Sequence, residues 1–152
     1  MKATTIYIFL LISLLPSIFS SGCRVQQATP DSYRGKQLIF GSGGGFTGAS
    51  LSYVLLDNGQ LFSTDSNSGI GTDTKKYTLL KKLPKTITRQ LFSKAVELQL
   101  EQLTFSHPGN ISYFIGLNNT HTTQRITWGD HRHKAPEGAE NLYHQLLATL
   151  PL

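Results

Sequence analysis

Residues 41–48 read Gly41-Ser42-Gly43-Gly44-Gly45-Phe46-Thr47-Gly48 and separate two runs of strand-like sequence. Glycine adopts positive φ without steric cost, so this density of glycine indicates a tight or unusual backbone path. Gly43 to Gly48 fit the G-x-G-x-x-G pattern of a dinucleotide site, which needs a helix N-terminus directly afterwards to hold the pyrophosphate. Residues 50–57 instead read Ser-Leu-Ser-Tyr-Val-Leu-Leu-Asp, which is typical of a strand. The sequence therefore predicts a strand-to-strand turn at this point and no nucleotide cofactor.

The strand over 50–57 leads into Asn58-Gly59 and then Gln60-Leu61-Phe62. Asn-Gly between strand-like runs is the strongest short hairpin signal, because a type I′ turn needs positive φ at both of its central positions. We therefore expect these two strands to be antiparallel neighbours. The residues after this hairpin, 63–74, are rich in Ser, Asp, Asn and Gly and predict a loop.

Four further runs predict strands, at residues 36–42, 77–83, 111–117 and 123–128. Apolar residues at helical spacing predict two helices. One runs from Thr88 to Leu103 with Thr86 or Thr88 as its cap, and one follows Pro136 and ends near Leu150. Hairpins rather than crossovers join the strands. This order predicts an α+β domain, a mostly antiparallel sheet with two helices packed on one face.

The first 22 residues have the pattern of a signal peptide. Lys2 supplies a positive start, residues 6–19 are almost wholly apolar, and Ser20-Ser21-Gly22 ends the segment with small residues. A membrane-spanning helix needs about 20 apolar residues, and Pro16 interrupts this shorter run. We therefore expect residues 1–22 to direct export and to be removed.

The next residue, Cys23, is the single cysteine of the chain, so it has no internal disulfide partner. Ser21-Gly22-Cys23 after an apolar run resembles the lipobox of bacterial lipoproteins, with Ser20 in the place of the usual leucine. The resemblance implies that Cys23 carries lipid and anchors the protein to a membrane of the cell envelope. A free thiol is the alternative. Residues 23–35 are expected to form the lipidated cysteine and its tether, and residues 36–152 a single domain.

A basic stretch marks the middle of the chain. Removal of Lys2 lowers the formal charge from +5 to +4, and much of the excess lies in one run without an acid. Nucleic acid is not expected as a partner of an exported protein. A solvated face, a docking surface for an acidic partner and a contact with the membrane remain open for this run. The run contains Lys75, Lys76, Lys81, Lys82, Lys85, Arg89 and Lys94.

A second candidate site is Asp130-His131-Arg132-His133. His-x-His on an extended chain places both imidazoles on one side, so Asp130, His131 and His133 could bind zinc or copper, with His144 as a further ligand. Loop histidines without a metal are the alternative. The chain has no Gly-x-Ser-x-Gly, no His-Glu-x-x-His and no pair of acids marked by spacing as acid and base. We therefore expect a protein that is not an enzyme.

The glycine-rich turn has two interpretations. It is either a structural turn or an exposed loop in which Gly44, Gly45, Phe46 and Gly48 contact a partner, with Phe46 as an apolar anchor. Gly-Gly-Phe-x-Gly after the first strand, the hairpin, the central helix, the aromatic run 113–115 and the Leu-rich segment 142–150 together resemble the emfourin family. That resemblance implies inhibition of thermolysin-like metalloproteases.

The sequence therefore predicts a lipoprotein of the cell envelope that acts as a non-enzymatic binding module and inhibits a protease. A lipoprotein that binds a small ligand or a metal is the alternative.

Overall fold

The computed structural model describes residues 28–45, 50–66, 75–119 and 122–151. The predicted signal peptide, Cys23, Phe46 and Gly48 lie outside the described residues.

The described chain contains one antiparallel sheet of six strands and two helices. The sheet order is β4-β3-β2-β1-β5-β6, and every neighbouring pair is antiparallel. The predicted α+β class is confirmed at this level. The elements are β1 (Gln37–Gly44), β2 (Ser50–Leu56), β3 (Gln60–Ser66), β4 (Lys75–Lys82), α1 (Lys85–Glu97), β5 (Ile111–Asn118), β6 (Thr123–Trp128) and α2 (Ala139–Leu147).

The hairpin between β2 and β3 is confirmed, but its turn is not the predicted type I′. Gly59 has φ of 92°, whereas Asn58 is not among the residues with positive φ. The Gly59 N–H donates to the Leu56 carbonyl at 2.8 Å, and the Asn58 side chain accepts the N–H of Gln60 at 3.0 Å. The loop is therefore a three-residue hairpin turn that ends on a left-handed glycine.

Two predicted boundaries are wrong, the end of β3 and the start of α1. β3 continues to Ser66, into the loop predicted at 63–74, because Thr64 and Asp65 pair with Tyr77 and Lys76 of β4. α1 begins at Lys85, directly after Pro84. Thr88 is buried inside the helix, where its hydroxyl donates to the Pro84 carbonyl at 3.1 Å, so it is not the cap.

The helix ends also differ from the sequence prediction. α1 stops at Glu97, and Gln99 then has φ of 51°, so the apolar residues up to Leu103 lie beyond the helix. α2 begins at Ala139 after Gly138, whose φ is 80°, rather than at Pro136. In both segments the apolar residues keep helical spacing beyond the helix itself. The helix ends before Gln99 in one segment and begins after Gly138 in the other, because each of these residues has a left-handed backbone conformation.

The core consists of two clusters. The smaller contains Val54, Leu56 and Phe62, with Tyr33 and Tyr77 partly buried against it. The larger is built on β1 and includes residues of both helices, and each large side chain buried there stabilises the fold by about 1.5–3 kcal/mol. Its fully buried large members are Leu38, Phe40, Leu55, Leu61, Leu100, Ile115, Leu117, Ile126, Leu142 and Leu146.

Residues 28–35, the last part of the predicted tether, lie against the sheet. The side chain of Gln37 donates to the carbonyl of the buried Pro30 at 2.8 Å. Tyr33 donates its hydroxyl to the Asp57 carboxylate, and Tyr77 of β4 donates to Asp31 at 2.8 Å. These bonds fix this segment, called the N-terminal strap from here on, beside the smaller cluster.

Candidate functional site

The described part of the glycine-rich turn is held by a close backbone contact. Gly44 and Gly45 have φ of 112° and 74°. The N–H of Gly45 donates to the carbonyl of Asn110 at 2.6 Å. A Cβ on Gly44 would lie 2.3 Å from the same oxygen, which is closer than real Cβ contacts. Gly44 is therefore needed for the path of the backbone, and this supports the structural interpretation of that residue.

Three exposed apolar side chains surround this turn. Leu51 and Tyr113 lie opposite Ser42 on the two strands that flank β1, and Ile111 lies opposite Gly44. Paired residues of neighbouring strands point to the same face of a sheet, so all three side chains share one face. Their exposed fractions are 61% for Leu51, 52% for Ile111 and 36% for Tyr113. We call Leu51, Ile111 and Tyr113 the apolar patch.

The aromatic residues behind the patch hold Tyr113 in place. Its ring lies 5.6 Å from the ring of Tyr143 on α2, edge to face, and 6.2 Å from that of Trp128. Burial raises the pKa of Tyr143, while a hydrogen bond with the Ser42 side chain lowers it. Edge-to-face aromatic pairs are favourable beyond the area they bury. Tyr113 is therefore held by packed aromatic rings, and Leu51 and Ile111 are the more exposed members of the patch.

The Asp130-His131-Arg132-His133 segment forms a turn centred on the carboxylate. Arg132 donates to Asp130 through its guanidinium at 3.1 Å and through its backbone N–H at 3.1 Å. His133 Nδ1 lies 3.0 Å from the same carboxylate, and its ring stacks on that of His107 at 3.8 Å. The hydrogen bonds from Arg132 are the main cause that holds the pKa of Asp130 well below its usual range.

This geometry gives no support to a metal site. The guanidinium of Arg132 already pairs with the Asp130 carboxylate, which a metal cation would need as a ligand. His131 is exposed, and its Nδ1 lies 3.7 Å from the Asp130 carboxylate. Across the described ranges, no group of three His, Cys, Asp or Glu residues is placed to hold a metal ion. The arrangement supports a salt-bridged turn whose imidazoles and guanidinium are available at the surface.

The two candidate segments are linked through the turn that precedes β5, since Gly45 is bonded to Asn110 and Asn110 lines a groove that also contains Asp130. A shallow groove of about 600 Å³ is lined by Asn110, Ile111, Tyr113, Asp130 and Arg132, among others. Behind it the backbones approach so closely that a Cβ on Gly109 would lie 2.2 Å from the Gly129 carbonyl oxygen. The apolar patch therefore adjoins the charged turn. Ile111 and Tyr113 could not be recognised as candidate site residues from the sequence, because their spacing there indicates only a strand.

A larger cleft of about 780 Å³ lies between the N-terminal strap and the sheet. Neither helix contributes to its lining among the described residues. Phe114 and Arg125 form part of its floor, with the Arg125 guanidinium 4.1 Å from the centre of the Phe114 ring. Thr64 also lines the cleft, and its hydroxyl is buried without a protein partner among the described residues.

A scan against models of known protein families finds no match for this chain, and a search of curated protein sequences finds none either. The resemblance to emfourins therefore depends on the residues quoted above. Within the described residues, no helix has both the length and the apolar character that a membrane span requires.

Proposed function

We propose that the protein is an exported lipoprotein, anchored in the cell envelope by lipid on Cys23, that binds a protein partner without catalysing a reaction. The observation that carries the binding role is the apolar patch beside the Asp130–Arg132 turn. Binding energy at protein interfaces concentrates in a few well-supported residues, with aromatic side chains and arginine enriched, inside a polar rim. Tyr113 and Ile111 fit the centre of such a site, and Asp130 and Arg132 fit its rim.

In the proposed architecture both helices cover one face of the sheet. The larger core cluster joins Leu91 of α1 and Leu142 of α2 to Leu38 and Phe40, which alternate along β1 and so share a face. The cleft beside the N-terminal strap belongs to the opposite face. The apolar patch then lies where the helix-covered face ends, next to Tyr143.

The proposed partner is an exported thermolysin-like metalloprotease, which the protein inhibits. The resemblance of Gly44 to Gly48 and of the surrounding elements to emfourins supports this choice. The position of the apolar patch supports it as well, because Ile111 lies opposite Gly44, the first residue of the Gly-Gly-Phe-x-Gly motif.

The binding role is tested by titrating such a protease with the protein purified from the envelope. We expect inhibition that saturates, and an Ile111→Asp variant that inhibits at least tenfold more weakly, because a buried unpaired charge opposes docking. Val96→Asp is the matched control, since Val96 is 57% exposed on α1. Equal potency of both variants would contradict docking through the apolar patch. No inhibition by the native protein would contradict a thermolysin-like metalloprotease as the partner.

The anchor is tested separately by growth with labelled palmitate. The mature protein should carry the label, and a Cys23→Ser variant should not. Label on neither protein would show that Cys23 is not acylated.

Small-ligand binding is the second candidate function, and the 780 Å³ cleft favours it because its volume falls in the range of small-molecule sites. The ligand class that fits is a polar anion, since Arg125 has no carboxylate within 4.0 Å among the described residues. A thermal-shift screen of sugar acids with native protein and Arg125→Gln tests this function. No stabilisation of the native protein, or equal stabilisation of both, would contradict it.

A further inference from the structure

We propose that the edge of the sheet formed by β4 docks on the anionic lipid headgroups of the membrane that holds the protein. The docking surface consists of Lys75, Lys76, Lys81, Lys82 and Lys85, called the basic edge. This inference rests on the proposed function for one premise, the lipid on Cys23. It adds a second membrane contact, which fixes how the domain is oriented.

The N-terminal strap lies beside the basic edge. Asp31 accepts a hydrogen bond from Tyr77 at 2.8 Å, so the strap passes beside β4 two residues from Lys75. Cys23 precedes Asp31 by eight residues in the sequence, and an extended chain of that length spans at most about 28 Å. A lipid on Cys23 would therefore keep Asp31 and the adjoining β4 within about 28 Å of the membrane, so this edge is able to reach the headgroups.

The basic edge carries a net positive charge. No lysine of the basic edge forms an ion pair within 4.0 Å among the described residues. The acids beside this edge are Asp31, which is bonded to Tyr77, and Asp65, which lies opposite Lys76, and Asp73 precedes Lys75 by two residues in the sequence. Five lysines against these three acids leave the edge with a net positive charge. Each basic residue near an anionic membrane strengthens binding about fivefold.

The position of β4 in the sheet leaves its outer side open. β4 is an edge strand, so it is not covered by a further strand of the sheet. Leu79 is 38% exposed among the lysines, which places an apolar side chain where it can enter the headgroup region. Lysine on an edge strand also prevents pairing with other strands, and a membrane contact uses the same charges for binding.

The test measures lysine acetylation on the mature protein reconstituted in two kinds of vesicle. One kind is phosphatidylcholine, and the other contains equal parts of phosphatidylcholine and phosphatidylglycerol. We expect the basic edge to react several-fold more slowly in the anionic vesicles. Lys134 is the control because it follows β6 at the opposite edge of the sheet, and its rate should not change. Equal rates for the basic edge in both vesicles would overturn the proposal.

A second measurement is independent of the anchor. The mature chain without acyl groups is sedimented with the anionic vesicles as the native sequence, as Lys76→Glu/Lys82→Glu and as Lys134→Glu. We expect the double variant to bind at least tenfold more weakly, the single control to bind within about twofold, and salt to abolish the difference. If the mature protein carries no palmitate label but the double variant still binds the vesicles more weakly, only the lipid anchor on Cys23 is contradicted. Equal vesicle binding of the three proteins would contradict only the membrane contact of the basic edge.

Discussion

Gly45 donates its backbone N–H to the carbonyl oxygen of Asn110 at 2.6 Å, which joins the glycine-rich turn to the turn that precedes β5. The two residues are distant in sequence, and their contact brings the β1–β2 turn beside the groove that contains Asp130. The described glycines of the turn thus contact the segment that forms the candidate binding surface, and close backbone packing requires glycine at position 44.

Replacement of Gly44 by alanine should destabilise the fold by about 2–4 kcal/mol, because the new Cβ would meet the Asn110 oxygen in a left-handed backbone. Gly45→Ala is the matched control. Nothing lies within 4 Å of its Cβ position, so only the left-handed conformation costs free energy, about 1 kcal/mol. Urea unfolding measures both values, and a Gly45 variant as unstable as the Gly44 variant would contradict this role of the contact.

Much of the fold could be predicted from the sequence because strand alternation and turn residues are local signals. The hairpin at Asn58-Gly59 and the strand from Thr123 to Trp128 show this. The extension of β3 to Ser66 could not be predicted in this way. Its Ser, Thr and Asp residues favour a loop, and only pairing with β4 makes them a strand.

The candidate site was only partly predictable. Gly44 and Asp130 belong to recognisable motifs, but their segments are linked through the turn before β5, where Gly44 approaches Asn110 and Gly109 approaches Gly129. No local pattern encodes these contacts. The exposure of Ile111 and Tyr113 depends on tertiary packing, such as the contact between the rings of Tyr113 and Tyr143. Arg132 read as the residue between two histidines, and its bond to Asp130 changes the chemistry of that turn.

Asp130 should stabilise the protein in a pH-dependent way. Its pKa is lowered in the folded state, so the unfolded chain binds more protons near its ordinary pKa of about 3.9. The stabilisation is therefore complete above that pH and lost as the pH falls through the folded pKa. The melting temperature of native protein should exceed that of Asp130→Asn at pH 7, and the gap should narrow below about pH 4. A gap that is constant down to pH 2 would contradict this.

The N-terminal strap should loosen at high pH. Burial, followed by the hydrogen bond to Asp57, raises the pKa of Tyr33 to about 12, and burial with the bond to Asp31 raises that of Tyr77. A raised pKa means that the stabilisation is complete below about pH 10 and lost as the pH rises through the folded value.

Tyr33→Phe should lower the free energy of unfolding by about 1 kcal/mol at neutral pH, since a hydrogen bond to a carboxylate is lost. Its unfolding should also depend less on pH above 10 than that of the native protein. Hydrogen exchange of residues 28–36 gives a local readout, and these residues should exchange faster in the variant. Unchanged exchange there would mean that the Tyr33–Asp57 bond does not hold the strap.

We expect the protein to dock on its partner through the apolar patch. The most direct measurement places a photo-reactive amino acid at Ile111, and in a second strain at Val96, in the protein exported to its own envelope. The account predicts a cross-link to an exported metalloprotease from position 111 and none from position 96. Cross-links from both positions alike, or from position 96 alone, would contradict it.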